Sequence, residues 1–312
     1  MSHTAYLIEI DPVGSASAAL IPAIGRQEIT SRSEVSNDVD AGSVYPRCVT
    51  INAQKNELTF TTKDIGALLA LIGTEGVAIE SVKAWEIQVD PVTGRALTTA
   101  THRTLTASRG LLVPTRLTAE HHADATIDVT LYALKDNATD YTAANLPIVV
   151  ETGQALPTGL TAGERYTIGP SCQVAGQSLP SNTRFEVDFG NSVTPFADNS
   201  EPWDDQCEVE VKPAVIIGGR NVAAFGATLG LAGAATTHAD TDLYLRRRSK
   251  QAAGFTAAGS AHHINITAAG IAHWEQAFSA QANARVEKRI RIDTHHDGTN
   301  TPIVVATDVA LP

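Results

Sequence analysis

Cysteine is scarce in this sequence, and the three cysteines present suggest no covalent framework. Cys48, Cys172 and Cys207 are odd in number, lie far apart and include no CxxC pair. Small secreted domains held by disulfides carry denser, even-numbered cysteines, and zinc ribbons need paired CxxC ligands. The cysteine usage therefore argues against both classes and fits synthesis in a reducing cytoplasm best.

Basic residues and long apolar runs are also scarce. The chain has 23 Lys and Arg against 34 Asp and Glu, which gives a net charge of -11. A surface that grips DNA or anionic lipid needs clustered cations. The most apolar helical run, Ile65 to Ile72, is far shorter than the roughly 20 residues that cross a bilayer, and residues 1–10 show no secretory signal. We therefore predict no membrane partner and an average surface that repels nucleic acid.

Signatures of catalysis are missing. The sequence contains no GxSxG nucleophile elbow, no HExxH zinc motif, no P-loop and no GxGxxG dinucleotide motif after a strand. Cys48 lies in an alternating, strand-like segment, where a thiol normally serves as a small apolar filler. We predict that the protein is not an enzyme.

Histidine pairs are the strongest candidates for a metal site. Because adjacent residues of a strand point to opposite faces, a pair cannot easily chelate one ion. Solvated loop histidines are the favoured interpretation and metal binding is the alternative. Glu201, Asp204 and Asp205 could hold calcium but lack EF-hand spacing, so an acidic surface loop is favoured. We predict no metal and no cofactor. The three pairs are His121-His122, His262-His263 and His295-His296.

A repeated phrase is the most informative feature of the chain. Pro147-Ile-Val-Val-Glu-Thr-Gly-Gln-Ala-Leu-Pro157 returns as Pro302-Ile-Val-Val-Ala-Thr-Asp-Val-Ala-Leu-Pro312, with eight of eleven positions identical. The length of 312 residues suits two domains. We predict two duplicated domains, residues 1–157 and 158–312.

The match between the halves extends upstream of the phrase. Leu117-Thr-Ala-Glu120 and Phe278-Ser-Ala-Gln281 lie at the same spacing from His102 and His263, respectively. In the second half, Pro213 to Asn221 resembles a degenerate copy of a hairpin at residues 46–56, and residues 223–233 occupy the position of a helix.

The composition and the local patterns predict mainly β structure. Abundant Thr, Val and Ala with few aromatics favour strands in thin layers. Residues 13–44 lack periodicity and predict an extended arm or loop that contacts a neighbouring subunit. Alternation predicts a hairpin of Cys48–Ile51 and Glu57–Phe60 with its turn at 54–56. The residues Thr61–Asp64 then supply a cap for a short helix beginning at Ile65 and stopped by Gly73.

One basic run and one acidic loop are candidates for contacts between subunits. Four charges at a strand end serve solubility or an acidic protein partner more often than nucleic acid, and the rest of this chain is acidic. The predicted contact residues are Arg246, Arg247, Arg248 and Lys250 in the basic run, and Asp204 and Asp205 in the acidic loop.

Several of these motifs together resemble a known family. Gly110-Leu-Leu-Val-Pro114 through Thr118-Ala119, followed by Pro-Ile-Val-Val and Ala-Leu-Pro, resembles the major tail tube proteins of long-tailed bacteriophages. The resemblance covers residues 45–157 and, less closely, 205–312. It implies two tandem β-barrel or β-sandwich domains, each with one flanking short helix and long loops or arms, whose sheets join edge to edge into sixfold rings that stack.

The resemblance also implies a function. A duplicated chain would form a pseudo-hexameric ring from three copies, within a phage tail tube that is assembled in the host cytoplasm and conducts DNA during ejection. Its partners would be other copies of itself, a tape-measure protein, and tail terminator and distal tail proteins. An acidic channel would let DNA slide without sticking. The alternatives are another phage surface or decoration protein, or a carbohydrate-binding β-sandwich module, although Trp85, Trp203 and Trp274 are few for sugar stacking.

Overall fold

The computed structural model describes most of the chain. The described residues are 3–15, 17–22, 24–39, 44–135, 147–160, 162–174, 177–179, 182–197, 203–220, 236–249, 254–275, 288–296 and 301–312.

The described residues are mainly β, as the sequence predicts. The first half contains β1 (His3–Pro12), β2 (Ala19–Ile21), β3 (Ile24–Asp38), β4 (Cys48–Thr62), α1 (Ile65–Ile72), β5 (Val77–Val89), β6 (His102–Ala107), β7 (Gly110–Glu120), β8 (Thr126–Ala133) and β9 (Val149–Gln154). The second half contains β10 (Tyr166–Val174), β11 (Gln177–Ser178), β12 (Asn182–Asp188), β13 (Asn191–Phe196), β14 (Gln206–Val211), β15 (Ala214–Gly219), β16 (Thr236–Arg247), β17 (His263–Trp274), β18 (Lys288–Thr294) and β19 (Ile303–Val309).

Seventeen of the described strands form one large antiparallel sheet, and β13 and β14 form a separate two-stranded sheet. Among the described residues the large sheet does not close into a barrel, so of the two expected architectures, barrel or sandwich, the barrel is wrong. A single hydrophobic cluster runs through both halves of the chain, from Ile8 and Phe60 to Ile266 and Ile303. Strand pairing and a shared core therefore join the halves.

The helix α1 has the bounds and the buried face that the sequence predicts. Ile65, Leu68, Leu69 and Ile72 are buried at helical spacing. Gly73 ends the helix with φ 65, and its N–H donates to the Leu69 carbonyl. The expected side-chain cap does not form, since Asp64 at the N-cap position makes no side-chain cap hydrogen bond.

The region expected to be an arm is instead part of a long hairpin. The strands β3 and β4 pair from Ile24 opposite Thr62 to Asp38 opposite Cys48, without a turn at residues 54–56. Most of β3 is exposed on both faces, so its sequence lacks the apolar alternation that marks a half-buried strand. The sequence therefore missed the strand β3 within residues 13–44 and misplaced the short hairpin for the same physical reason. Contact of residues 13–44 with a neighbouring subunit stays a prediction.

The hairpin has a counterpart in the second half. Residues 182–196 (β12 and β13) run antiparallel to residues 206–219 (β14 and β15), with Asn182 opposite Gly219 and Phe196 opposite Gln206. The expectation that 213–221 copies 46–56 was wrong, because β15 holds the position of the last residues of β4, 57–62. The helix expected at 223–233 lies outside the described residues.

The repeated phrase forms the same strand in both halves. The strand β6 pairs with β9 with His102 opposite Gln154, and β17 pairs with β19 with His263 opposite Val309. In both pairings the register shifts beside the histidine. The two phrases therefore occupy equivalent positions beside equivalent strands.

Candidate protein–protein interface

The two halves are joined edge to edge by β7 and β12. These strands pair antiparallel, from Arg184 opposite Glu120 to Asp188 opposite Arg116. Backbone hydrogen bonds continue just beyond both ends of this pairing. His121 N donates to the Thr183 carbonyl and Phe189 N donates to the Thr115 carbonyl, each at 3.0 Å. The pairing of β7 with β12 thus extends one sheet across the boundary between the halves.

Charged side chains bridge the same pair of strands. Glu186 is buried and forms two ion pairs. Its Oε1 lies 3.0 Å from Arg116 Nε, and its Oε2 lies 2.8 Å from Arg184 Nη2. Arg184 also lies 3.4 Å from Glu120 across the junction. Each partly exposed ion pair contributes about 0.2–1 kcal/mol. Since opposite charges must face each other, these pairs also specify the register of β7 against β12.

A glycine of α1 lets the helix approach the second half closely. A Cβ atom at Gly66 would lie 2.8 Å from Tyr166 Oη and 3.7 Å from Ile264 Cδ1, so a larger residue would require the Tyr166 side chain to move. The Tyr166 hydroxyl donates to Glu164 Oε2 at 2.7 Å. Burial, followed by this hydrogen bond to Glu164, raises the pKa of Tyr166 far above its ordinary value.

Asp124 is a second electrostatic link between the halves. Its carboxylate lies 3.0 Å from Lys63 Nζ in the first half and 3.1 Å from Arg248 Nε and 3.8 Å from Arg165 in the second half. Arg248 Nε and Asp124 Oδ1 are close enough for a hydrogen bond, but neither atom makes one in the described structure. Their contact is therefore an ion pair without hydrogen-bond geometry. One carboxylate therefore gathers cations from both sides of the boundary.

The basic residues predicted to contact other subunits have partners within this chain. Arg246 donates to the Thr256 carbonyl at 3.2 Å, and its guanidinium lies 4.8 Å from the centroid of the Phe255 ring. Arg247 forms an ion pair with Glu164, and Arg248 reaches Asp124. Lys250 lies outside the described residues. Contact of the described arginines with another subunit stays a prediction.

The acidic candidates also lie at the boundary between the halves. The Asp204 carbonyl accepts a hydrogen bond from Lys135 N at 2.8 Å, and Asp205 N donates to the Phe196 carbonyl at 3.1 Å. Asp204 is buried, and this burial raises the pKa of its carboxyl, with Lys55 opposing the shift. Glu201 lies outside the described residues. A role of Asp204 and Asp205 in binding other copies stays a prediction.

Two histidines, one in each half, are buried and hold backbone groups, a role that the sequence did not predict for either of them. His102 Nδ1 accepts from Gln88 N at 3.1 Å, and its Nε2 lies 3.0 Å from the Leu97 carbonyl. The neutral ring that donates through Nε2 fits both bonds. The one signal in the sequence was their equal spacing from the matching segments 117–120 and 278–281.

His263 repeats this arrangement in the second half. Its Nδ1 accepts from Arg247 N at 3.1 Å, and its Nε2 lies 3.0 Å from the Ala257 carbonyl. The interpretation of His263 as a solvated loop residue was wrong, because it is fully buried at the start of β17. Its neighbour His262 is exposed.

The other histidine pairs offer no assembled metal site in the described structure. His121 Nε2 lies 2.6 Å from the Asn182 carbonyl, at the end of the β7–β12 junction. His122 is exposed and has φ 63. In the parts of the chain that the structure describes, no group of three or more His, Cys, Asp or Glu side chains is placed to hold a metal ion.

A cleft of about 740 Å³ opens at the His121 end of the junction. Its polar lining includes Arg184, Arg220, Arg289 and Glu120. Among the described residues, this lining includes no Trp, Tyr or Phe, although sugar-binding sites usually present an aromatic face. Of the tryptophans, Trp85 is buried and donates through Nε1 to Glu9 at 3.2 Å. The described lining of the cleft is therefore mainly polar and charged.

Comparison with known proteins gave no matching family model and no matching curated sequence. Among the described residues, no helix has both the length and the apolar character needed to cross a bilayer. What the fold and the junction define is a mainly β protein whose two halves meet by pairing of sheet edges.

Proposed function

We propose that this protein is a structural subunit that assembles into rings by pairing its sheet edges with those of other copies. The carrying observation is the junction of β7 with β12, where one half of the chain already extends the sheet of the other. Edge pairing is a common way to remove the unpaired backbone groups that make open edges prone to aggregation. The same geometry between chains would build a closed assembly.

We further propose that the two halves are copies of one ancestral unit. The part of the long hairpin from Ile24 to Glu34 and the strand of the repeated phrase both occur twice with matching registers. Gly110 and Gly270 provide an independent correspondence, because a Cβ at either would lie 2.4 Å or 2.3 Å from the carbonyl oxygen of the facing strand, at Tyr132 or Asp293. Close backbone approach at the same position in both halves supports duplication over chance similarity.

Duplication determines what kind of assembly is proposed. A contact between unlike surfaces, repeated from unit to unit, generates either a closed ring or an open filament. Two units per chain would make a ring of six units from three chains, which is the pseudo-hexamer that the resemblance to tail tube proteins implies. Stacked rings would form the tail tube of a long-tailed phage, in contact with tape-measure, terminator and distal tail proteins.

The acidic composition gives the proposed channel a physical role. With a net charge of -11, the average surface repels phosphates, so that DNA could pass without binding specifically. A reconstruction of the assembled tube would show the sign of the charge on its inner wall. We expect an acidic or neutral wall, and a strongly basic one would contradict this part of the proposal.

Electron microscopy with native mass spectrometry tests the proposed function directly. The purified wild-type chain is expected to form rings or tubes with a central hole, with a smallest closed species of three chains. Protein that stays monomeric across the accessible concentration range, without rings or tubes, would overturn the proposal. Specific retention on glycan arrays would instead favour the carbohydrate-binding alternative.

A further inference from the structure

We propose that the exposed edge of β3 at residues 26–30 pairs with a strand of a second copy of the chain. This inference rests on the proposed function and names the surface through which the assembly would grow. Within the described residues, the only registered partner of β3 is β4, so its other edge is open for pairing.

The pairing of β3 with β4 shows which residues of the two halves correspond. Ile24 faces Thr62 and Asn182 faces Gly219, and each pair is followed by the same one-residue register shift, before Arg26 and before Arg184, respectively. Counted from this shift, residues 26–30 of β3 correspond to residues 184–188 of β12. These are the residues of β12 that pair with β7.

The corresponding residues also carry the same charged pair. Arg26 and Glu28 form an ion pair two residues apart, with side chains 74% and 50% exposed. Arg184 and Glu186 form the equivalent pair, but their side chains are 33% and 11% exposed. The covered pair makes additional ion pairs with β7, whereas the exposed pair makes none in the described structure. The edge of β3 thus presents the charges with which β12 holds its neighbour.

A buried polar atom marks the same edge as incomplete. Gln27 corresponds to Phe185, which is fully buried in the hydrophobic core. The side-chain atom Oε1 of Gln27 is buried and has no hydrogen-bond partner in the described structure. An unpaired buried acceptor is costly, so the described structure leaves this position of β3 less well satisfied than the corresponding position of β12.

The backbone N–H and C=O groups on the open edge of β3 belong to the residues that correspond to those with which β12 binds β7. In β12, the Thr183 carbonyl and the Phe189 N–H bind β7. Because hydrogen-bonding direction alternates along an antiparallel strand, Phe185 and Val187 also direct their backbone groups at β7. Their counterparts Gln27 and Ile29 therefore direct N–H and C=O groups at the open edge of β3.

A second copy of the chain is the occupant that the junction indicates. The strand that covers β12 is β7, which carries Leu117-Thr-Ala-Glu120, and the second half carries the matching Phe278-Ser-Ala-Gln281. Residues 278–281 lie outside the described part of the chain, so only their sequence enters here. Within one chain β7 is already engaged by β12, which leaves the β3 edge for the other half of a neighbour, in a head-to-tail contact.

The variant Gln27→Pro tests this edge. Proline removes an N–H that points outward and leaves the β3–β4 hydrogen bonds intact, and proline is tolerated on edge strands for this reason. Ser33→Pro is the matched control, because Ser33 has the same outward phase, but its counterpart Asn191 lies in β13, which pairs with β14 alone among the described strands.

Native mass spectrometry and electron microscopy of the three proteins, with thermal unfolding as a check on folding, provide the readouts. We expect Gln27→Pro to weaken each contact about tenfold or more, so that rings disappear at concentrations where wild type and Ser33→Pro form them. Assembly of Gln27→Pro at wild-type concentrations would overturn the inference. Loss of assembly in both proline variants would also overturn it, because the effect would not be specific to residues 26–30.

Hydrogen exchange on the wild-type protein keeps the inference testable if Gln27→Pro does not fold. The amides of Gln27 and Ile29 should be protected in the assembly and exchange freely in the dilute monomer, and free exchange in the assembly would overturn the inference. If the wild type forms rings and Gln27→Pro forms them equally well, the pairing of the β3 edge is refuted but the proposed function is retained. A wild-type dimer or filament that Gln27→Pro abolishes would support the edge and contradict the ring.

Discussion

The long hairpins of the two halves differ in continuity and in surroundings. In the first half, β3 and β4 are each unbroken and β3 is largely exposed, whereas the second hairpin is divided at Gly190 and Lys212, and its inner portion is covered by β7. Gly190 has φ 62, and a Cβ there would lie 2.0 Å from the Lys212 carbonyl oxygen. The comparison shows that the same hairpin pairing can leave its outer strand exposed, as in β3, or bind a neighbouring strand, as β12 binds β7.

Substitution of Gly190 should break the second hairpin with the largest effect. Gly190→Ala places a methyl group against backbone at a positive φ, and we expect a loss of about 3 kcal/mol or more in unfolding free energy. The control is Gly14→Ala, since Gly14 has φ 78 but no atom within 4 Å of its Cβ position. Chemical denaturation measures both variants, and equal losses would show that the approach to Lys212 is unimportant.

The buried histidines test whether the two halves are equivalent. His102→Leu and His263→Leu each remove the side-chain partner of a partly buried backbone N–H and carbonyl, which should cost about 1–3 kcal/mol in each half. Denaturant unfolding of the two single variants gives the comparison. A large loss in one variant and none in the other would contradict an equivalent role for the two rings.

The two arginine and glutamate pairs should differ in their contribution to the monomer. Arg184→Ala removes contacts with Glu120 and buried Glu186, and we expect a loss of about 1–2 kcal/mol. Arg26→Ala should change the stability of the dilute monomer by no more than about 0.5 kcal/mol. Unfolding should be measured below the concentration at which the protein assembles, and a larger loss for Arg26 would reverse the assignment of covered and exposed edges.

Asp204 offers the smallest and most pH-dependent effect. Burial raises the pKa of this carboxyl, so the folded state retains its proton to higher pH than the unfolded state does, and the group costs stability as the pH rises through its folded pKa. Asp204→Asn should therefore stabilise the protein by roughly 0.5 kcal/mol at pH 7, and the gain should vanish in acid. A gain that is the same at pH 4 and pH 7 would contradict this cause.

Sequence reasoning succeeded where a local pattern was sufficient. The apolar spacing of Ile65, Leu68 and Ile72, followed by Gly73, predicted the helix with its bounds, and the repeated phrase marked two equivalent strands. It failed for β3, because a hairpin exposed on both faces shows no apolar alternation. It also missed the β7–β12 junction. Arg26 and Arg184 stand in the same local pattern, and only the distant strand that covers one of them distinguishes the two.

The stretch between β9 and β10, residues 155–165, has a kinetic consequence for the proposed ring. It tethers the two halves, so their junction forms within a molecule, at an effective concentration that for short flexible connections reaches the millimolar range. In a ring of such units, half of the contacts between neighbouring units would then form within single chains, before any two chains meet. Dilution would act only on the remaining contacts, and a ring made from tethered pairs would close after fewer encounters than one made from single units.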